Sequence, residues 1–115
     1  MNKNAAFRFV KRHHLAPTQR ETMMKDIAAA VERLAALWRM DCGASPGAFN
    51  VLRVGLTGQG SISADDLWRF DAQNRAAAMG LLRFALAKGY DAAPVPEGLR
   101  QAIYDEAKKQ YMARL

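Results

Sequence analysis

The chain has 115 residues, half of them apolar, which is one domain's worth of sequence with enough apolar material for a small core. Its net charge is +6, and with a single cysteine, Cys42, no internal disulfide can form. No apolar run reaches the roughly 18 residues of a spanning helix, and the basic opening lacks an apolar stretch with a small-residue cleavage site, so no membrane span and no secretory signal are expected and a cytoplasmic location is.

The opening stretch carries most of the charge. Residues 1–20 contain Lys3, Arg8, Lys11, Arg12 and Arg20 with no acid, whereas residues 21–115 contain 12 cations and 11 anions. The first segment also resembles a mitochondrial transit peptide in lacking acids, but it has too few serines and too short an amphipathic run. "AFRFV" alternates apolar and basic residues with Phe7 and Phe9 on one side, and no second strand candidate follows to pair with it. Residues 1–16 are therefore expected to form a basic arm anchored by its aromatics, ahead of a helical domain over residues 17–115.

Pro17 and Thr18, with Glu21 at capping-box spacing, open the first predicted helix. Met24, Ile27, Val31, Leu34 and Trp38 recur every three or four residues and give it one apolar stripe. "MDCGAS" ends it, with Gly43 as the C-cap residue. Ser45 and Pro46 read as N-cap and first position of a second helix whose apolar face is Phe49, Leu52 and Leu56, widened by Val51 and Val54. "TGQGS" stops that helix. Ser63 with Asp66 starts a short third one, and Asp71 caps a fourth from about Ala72 to Lys88, with Ala76, Met79, Leu82 or Leu81, and Leu86 facing inward. Gly89 ends it, and Pro94 and Pro96 forbid continued helix. Pro96 and Glu97 open a final helix with Leu99, Ile103, Tyr104, Ala107, Tyr111 and Leu115 on its apolar side. The fold class is all-α: a compact bundle of four to five helices with a basic N-terminal arm.

The chemistry-bearing residues are few. His13 and His14 are adjacent and point apart in either regular conformation, so they make a poor metal pair. Nothing else has metal-ligand spacing, and no metal or cofactor is expected. Cys42 lacks a legible base partner and reads as a small buried apolar group. Gly58-Gln59-Gly60 follows no strand and precedes no Lys, so it reads as a turn and not as a phosphate loop. Asp65 and Asp66, at the start of a short helix, suit the positive end of its dipole better than acid–base work. Trp38 falls in the core stripe, and Tyr104 and Tyr111 read as core too. Trp38 and Trp68 are the two candidates for stacking on bases, and Trp68, beside Arg69 on a short helix, reads as half exposed and open to a partner. Gln73, Asn74 and Arg75 lie where a recognition helix would read bases, but Asp65, Asp66 and Asp71 precede them and would repel phosphate.

Asp41, Gly43 and Ser45 form an Asp-x-Gly-x-Ser stretch, Asp66, Leu67, Trp68 and Asp71 an acidic-Leu-Trp-x-x-Asp signature, and Tyr90 and Asp91 a closing turn. Over residues 31–91 this pattern resembles an uncharacterised family of small helical proteins encoded on proteobacterial integrative elements, plasmids and prophages. The chain departs from it late in the second helix, where Gly55 and Leu56 replace an aromatic pair. The resemblance implies an all-helical protein in a phage or mobile-element setting and supplies no activity or catalytic residue.

With no positioned nucleophile and base, no metal set and no cofactor loop in the sequence, the expectation is a non-catalytic binding protein. Lys3, Arg8, Lys11, Arg12 and Arg20 would neutralise the phosphates of a nucleic acid, with Phe7 and Phe9 as anchors. The alternative is a protein-directed inhibitor or adaptor whose arm meets an acidic surface of a host defence complex, as anti-CRISPR proteins do, with Trp68 as its hot spot. A homodimer with no role for the arm is the third reading.

Overall fold

A computed structural model describes residues 17–115. Five helices follow one another: α1 Pro17–Arg39, α2 Ser45–Thr57, α3 Ala64–Trp68, α4 Ala72–Lys88 and α5 Leu99–Ala113. No strand occurs among the described residues, so the fold is the all-α bundle the sequence predicts, four substantial helices and one of five residues. The arm, residues 1–16, lies outside the described residues.

α2 is the central element. It packs against all four other helices, and α4 also packs along α1. Its buried residues, among them Ala48, Phe49, Val51, Leu52, Gly55 and Leu56, go nearly all the way round it. Gly55 explains how α4 comes so close: a Cβ there would lie 2.8 Å from Leu81 Cγ, so only glycine lets the two backbones approach. Ile27, Val31, Leu34 and Leu37 of α1, Ala78, Leu81 and Phe84 of α4, and Leu99 and Ile103 of α5 complete the core. Trp38 is half-buried, its ring tilted against Phe49 with centroids 5.1 Å apart.

Helix ends show how the chain is punctuated. α1 already includes Pro17, so Thr18 stands inside the helix, where its carbonyl accepts from Thr22 Oγ1 at 2.9 Å, and it is not the N-cap. Asp41, at φ 53°, makes the left-handed turn after α1 that the sequence assigned to Gly43. Ser45 is inside α2, whose N-cap is Ala44, and its hydroxyl serves the preceding helix instead: it donates to Leu37 O at 2.7 Å and accepts from Cys42 N at 2.9 Å. In a continuing helix Leu37 O would accept from residue 41, so the serine takes the place of the donor that Asp41 turns away. Gly58, at φ 71°, closes α2 by donating to Val54 O at 3.0 Å, and its missing Cβ leaves room for the Tyr90 ring. α5 begins two residues later than predicted, with Gly98 and not Pro96 and Glu97 at its entry.

Arginines finish the remaining carbonyls. Arg100 Nε donates to Leu56 O at 3.2 Å, and its Nη2 to Tyr90 O and Ala93 O at 3.2 and 3.5 Å, which puts a cation at the negative end of α2 and ties down the connector into α5. Arg33 of α1 reaches the start of α4, donating from Nη2 to Gln73 Oε1 at 2.7 Å and from Nη1 to Asn74 Oδ1 at 3.2 Å.

Two predicted faces are corrected. On α4 the residues turned inward are Ala78, Leu81 and Phe84; Ala76 and Met79 are exposed and Leu86 is 90% exposed. On α5 only Leu99 and Ile103 are buried and Ala107 partly, while Tyr104, Tyr111 and Leu115 lie at the surface. Among the described helices α5 packs chiefly on α2, through the edge that carries Leu99 and Ile103.

Candidate functional site

Of the residues singled out in the sequence, Lys3, Phe7, Arg8, Phe9, Lys11 and Arg12 lie outside the described residues. Arg20 is exposed near the start of α1. Trp68 closes α3 and is 74% exposed, more open than the half exposure expected of it. Cys42 is exposed in the turn after α1, not buried as predicted. The Ser45 hydroxyl, followed by backbone hydrogen bonds around Ala44, lowers its pKa from the usual thiol value. Among the described residues no group of three or more His, Cys, Asp or Glu could hold a metal ion, and no helix is long and apolar enough to cross a membrane.

The corner between α3 and α4 gathers the most distinctive chemistry. Ser63 and Asp66, read from the sequence as a helix start, form a capping box: Asp66 N donates to Ser63 Oγ at 3.1 Å and Ser63 N to Asp66 Oδ2 at 3.0 Å. Asn50 Nδ2 of α2 donates to the same oxygen at 3.1 Å and pins α3 to the central helix. Partial burial pushes the Asp66 carboxyl up, but the hydrogen bonds from Ser63 and Asn50 and the Arg69 charge outweigh it and hold it below its usual value. Asp65 pairs with Arg69 Nε at 3.0 Å, and Asp71 accepts from Asn74 N at 2.8 Å as N-cap of α4. Of the three acids of the corner only Asp65 is paired with a cation; Asp66 and Asp71 are held by neutral donors and keep their charge.

Arg75 has a structural role that the sequence does not show. Its Nε donates to Leu67 O at 3.3 Å and its Nη2 to Phe70 O at 3.1 Å, two carbonyls freed where α3 ends. Those bonds hold the guanidinium over the Trp68 ring, 5.4 Å from its centroid. Ala64, Leu67, Trp68 and Arg75 line a shallow groove beside the ring. Arg20 is not among its lining residues, so the structure does not bring the two described site residues together there. The seven-residue separation of Trp68 and Arg75 carries no signal of their meeting by itself; the bend at residues 69–71 creates it.

The chain matches no protein-family model, no curated protein and no solved structure.

Proposed function

We propose that the chain is a small non-catalytic binding protein of a phage or mobile element that contacts nucleic acid through its basic N-terminal segment. The observation that carries this reading is the partition of charge. Residues 1–16 contain Lys3, Arg8, Lys11 and Arg12 with no acid, whereas residues 17–115 contain 13 cations against 11 anions. A polyanion meeting this chain gains most where one sign of charge is undiluted, because each phosphate that is neutralised releases condensed counterions. Phe7 and Phe9 interleave with those cations and supply apolar contacts to sugar or base. Contacts of this kind position a protein on the backbone and read little sequence.

An electrophoretic mobility shift with duplexes of mixed sequence tests the reading. Four or five phosphate contacts weaken binding about 10²-fold between about 50 and 200 mM salt, with little dependence on sequence. Absence of any shift at the lower salt overturns it. So does a partner captured from host lysate that survives nuclease when the pure chain binds no nucleic acid; the basic segment then serves an acidic protein surface.

A further inference from the structure

Resting on that reading, we propose that the Trp68–Arg75 corner is a stacking platform for one unpaired base, so that the chain prefers single-stranded nucleic acid to duplex. Trp68 is 74% exposed although it has the largest apolar surface of any side chain. Its ring is not loose: Leu67 beside it is partly buried against the core, and the Arg75 guanidinium sits 5.4 Å from its centroid. Arg75 is itself fixed, by its bonds to Leu67 O and Phe70 O. The residue pair therefore offers a preorganised aromatic ring with a fixed cation over one face and most of its surface open to solvent.

That chemistry fits a base with its phosphate. Among the described residues no carboxylate forms an ion pair with Arg75, and its two bonds go to neutral carbonyls, so its charge is not cancelled. Of the three nearby acids, Asp65 is neutralised by Arg69, while Asp66 and Asp71 keep their charge but are turned to Ser63 and Asn50 and to the first turn of α4, not to Arg75. A ring stacked on Trp68 would fill the groove lined by Ala64 and Leu67 and leave its phosphate free to approach Arg75. A duplex keeps its bases stacked on each other and presents no such ring. The basic N-terminal segment binds both forms alike; the platform adds the difference.

The test uses the full chain with Trp38 changed to Phe, which leaves Trp68 as the only tryptophan. Titration with an oligothymidylate single strand should quench its fluorescence, and a duplex of equal length should not. Trp68→Ala should weaken single-strand binding about 5- to 150-fold, the loss of one base–aromatic stack, and leave duplex binding within about twofold. Because Trp68 is exposed, the variant should keep its fold, checked by circular dichroism, and Arg75→Gln provides a second variant that leaves the ring in place and should also lower single-strand affinity. Single-strand binding that is undiminished in Trp68→Ala overturns the platform and leaves the polyanion reading standing. No binding of either form overturns both. Quenching by an aromatic, acidic peptide but not by the oligonucleotide overturns the platform and gives the groove to a protein.

Discussion

Ser45 shows how one hydroxyl can be read correctly as polar punctuation and still be given to the wrong helix. Its place before Pro46 is the pattern of an N-cap, and the sequence cannot tell whether the oxygen turns forward to α2 or back to α1. The structure turns it back, 6% exposed, between Leu37 O and Cys42 N. The hydroxyl has one proton and two acceptors, Leu37 O at 2.7 Å and Cys42 Sγ at 3.5 Å. The shorter bond holds the proton, so closing α1 is its main role and its pull on the thiol is the lesser one. Ser45→Ala leaves the Cys42 N–H without its partner and Leu37 O with only the longer bond from Met40 N at 3.3 Å, which costs about 1–3 kcal/mol and should lower the thermal midpoint by several degrees. The same variant should let the Cys42 thiol titrate at higher pH, read as slower reaction with a disulfide reagent near neutral pH. An unchanged melting curve would mean that the turn closes without the serine. Cys42 misleads for a related reason: a small apolar residue next to a helix end reads as core, and only the left-handed turn at Asp41 carries it outward.

At the scale of elements, boundaries are more legible than faces. Ser63 with Asp66, Asp71 and Gly89 mark the ends of α3 and α4 by local hydrogen bonding, and the structure places all of them at those ends. The inward face of α4 is not legible, because "RAAAMGLLRFALAK" has apolar residues on every side and no one stripe stands out. What sets its rotation is a partner 26 positions away in the sequence: Gly55 of α2 receives Leu81. For the same reason Tyr104 and Tyr111 follow helical spacing yet stay outside, since among the described helices α5 packs chiefly on α2, through Leu99 and Ile103. Two mid-helix glycines test this packing with opposite signs. Gly55→Ala puts a methyl 2.8 Å from Cγ of Leu81, a fully buried side chain with nowhere to move, and should destabilise by about 1–3 kcal/mol. Gly80→Ala on α4 meets nothing within 4 Å and should stabilise by about 0.5–1 kcal/mol, because alanine loses less backbone entropy in a helix. Urea midpoints of the two variants decide it. A harmless Gly55→Ala would show that α2 and α4 do not depend on that close approach.

For the whole molecule, the fold class follows from the sequence because helix periodicity and end signals agree over most of residues 17–115. Function is less legible because it depends on charge in space. The sequence shows a one-signed segment but cannot show that Arg75 comes to rest on Trp68, or that Asp65 turns to Arg69 beside them. The partition of charge makes the final prediction a matter of position. Changing Lys3, Arg8, Lys11 and Arg12 to Gln takes the net charge from +6 to +2, and changing Lys108, Lys109 and Arg114 on α5 instead takes it to +3. If attraction came from net charge alone, the two variants would bind nucleic acid almost equally weakly. If the phosphates are met by the N-terminal segment, only the first variant gives up the cations that displace counterions. Its plot of log affinity against log salt should then flatten by about 3 to 4 units on duplex DNA, at roughly 0.9 for each phosphate no longer neutralised. The α5 variant should keep the slope of the unaltered chain, because cations spread among Asp105, Glu106 and the polar face of α5 form no undiluted patch. Equal flattening in both variants would show that binding reports the overall charge and that the basic opening has no special part in it.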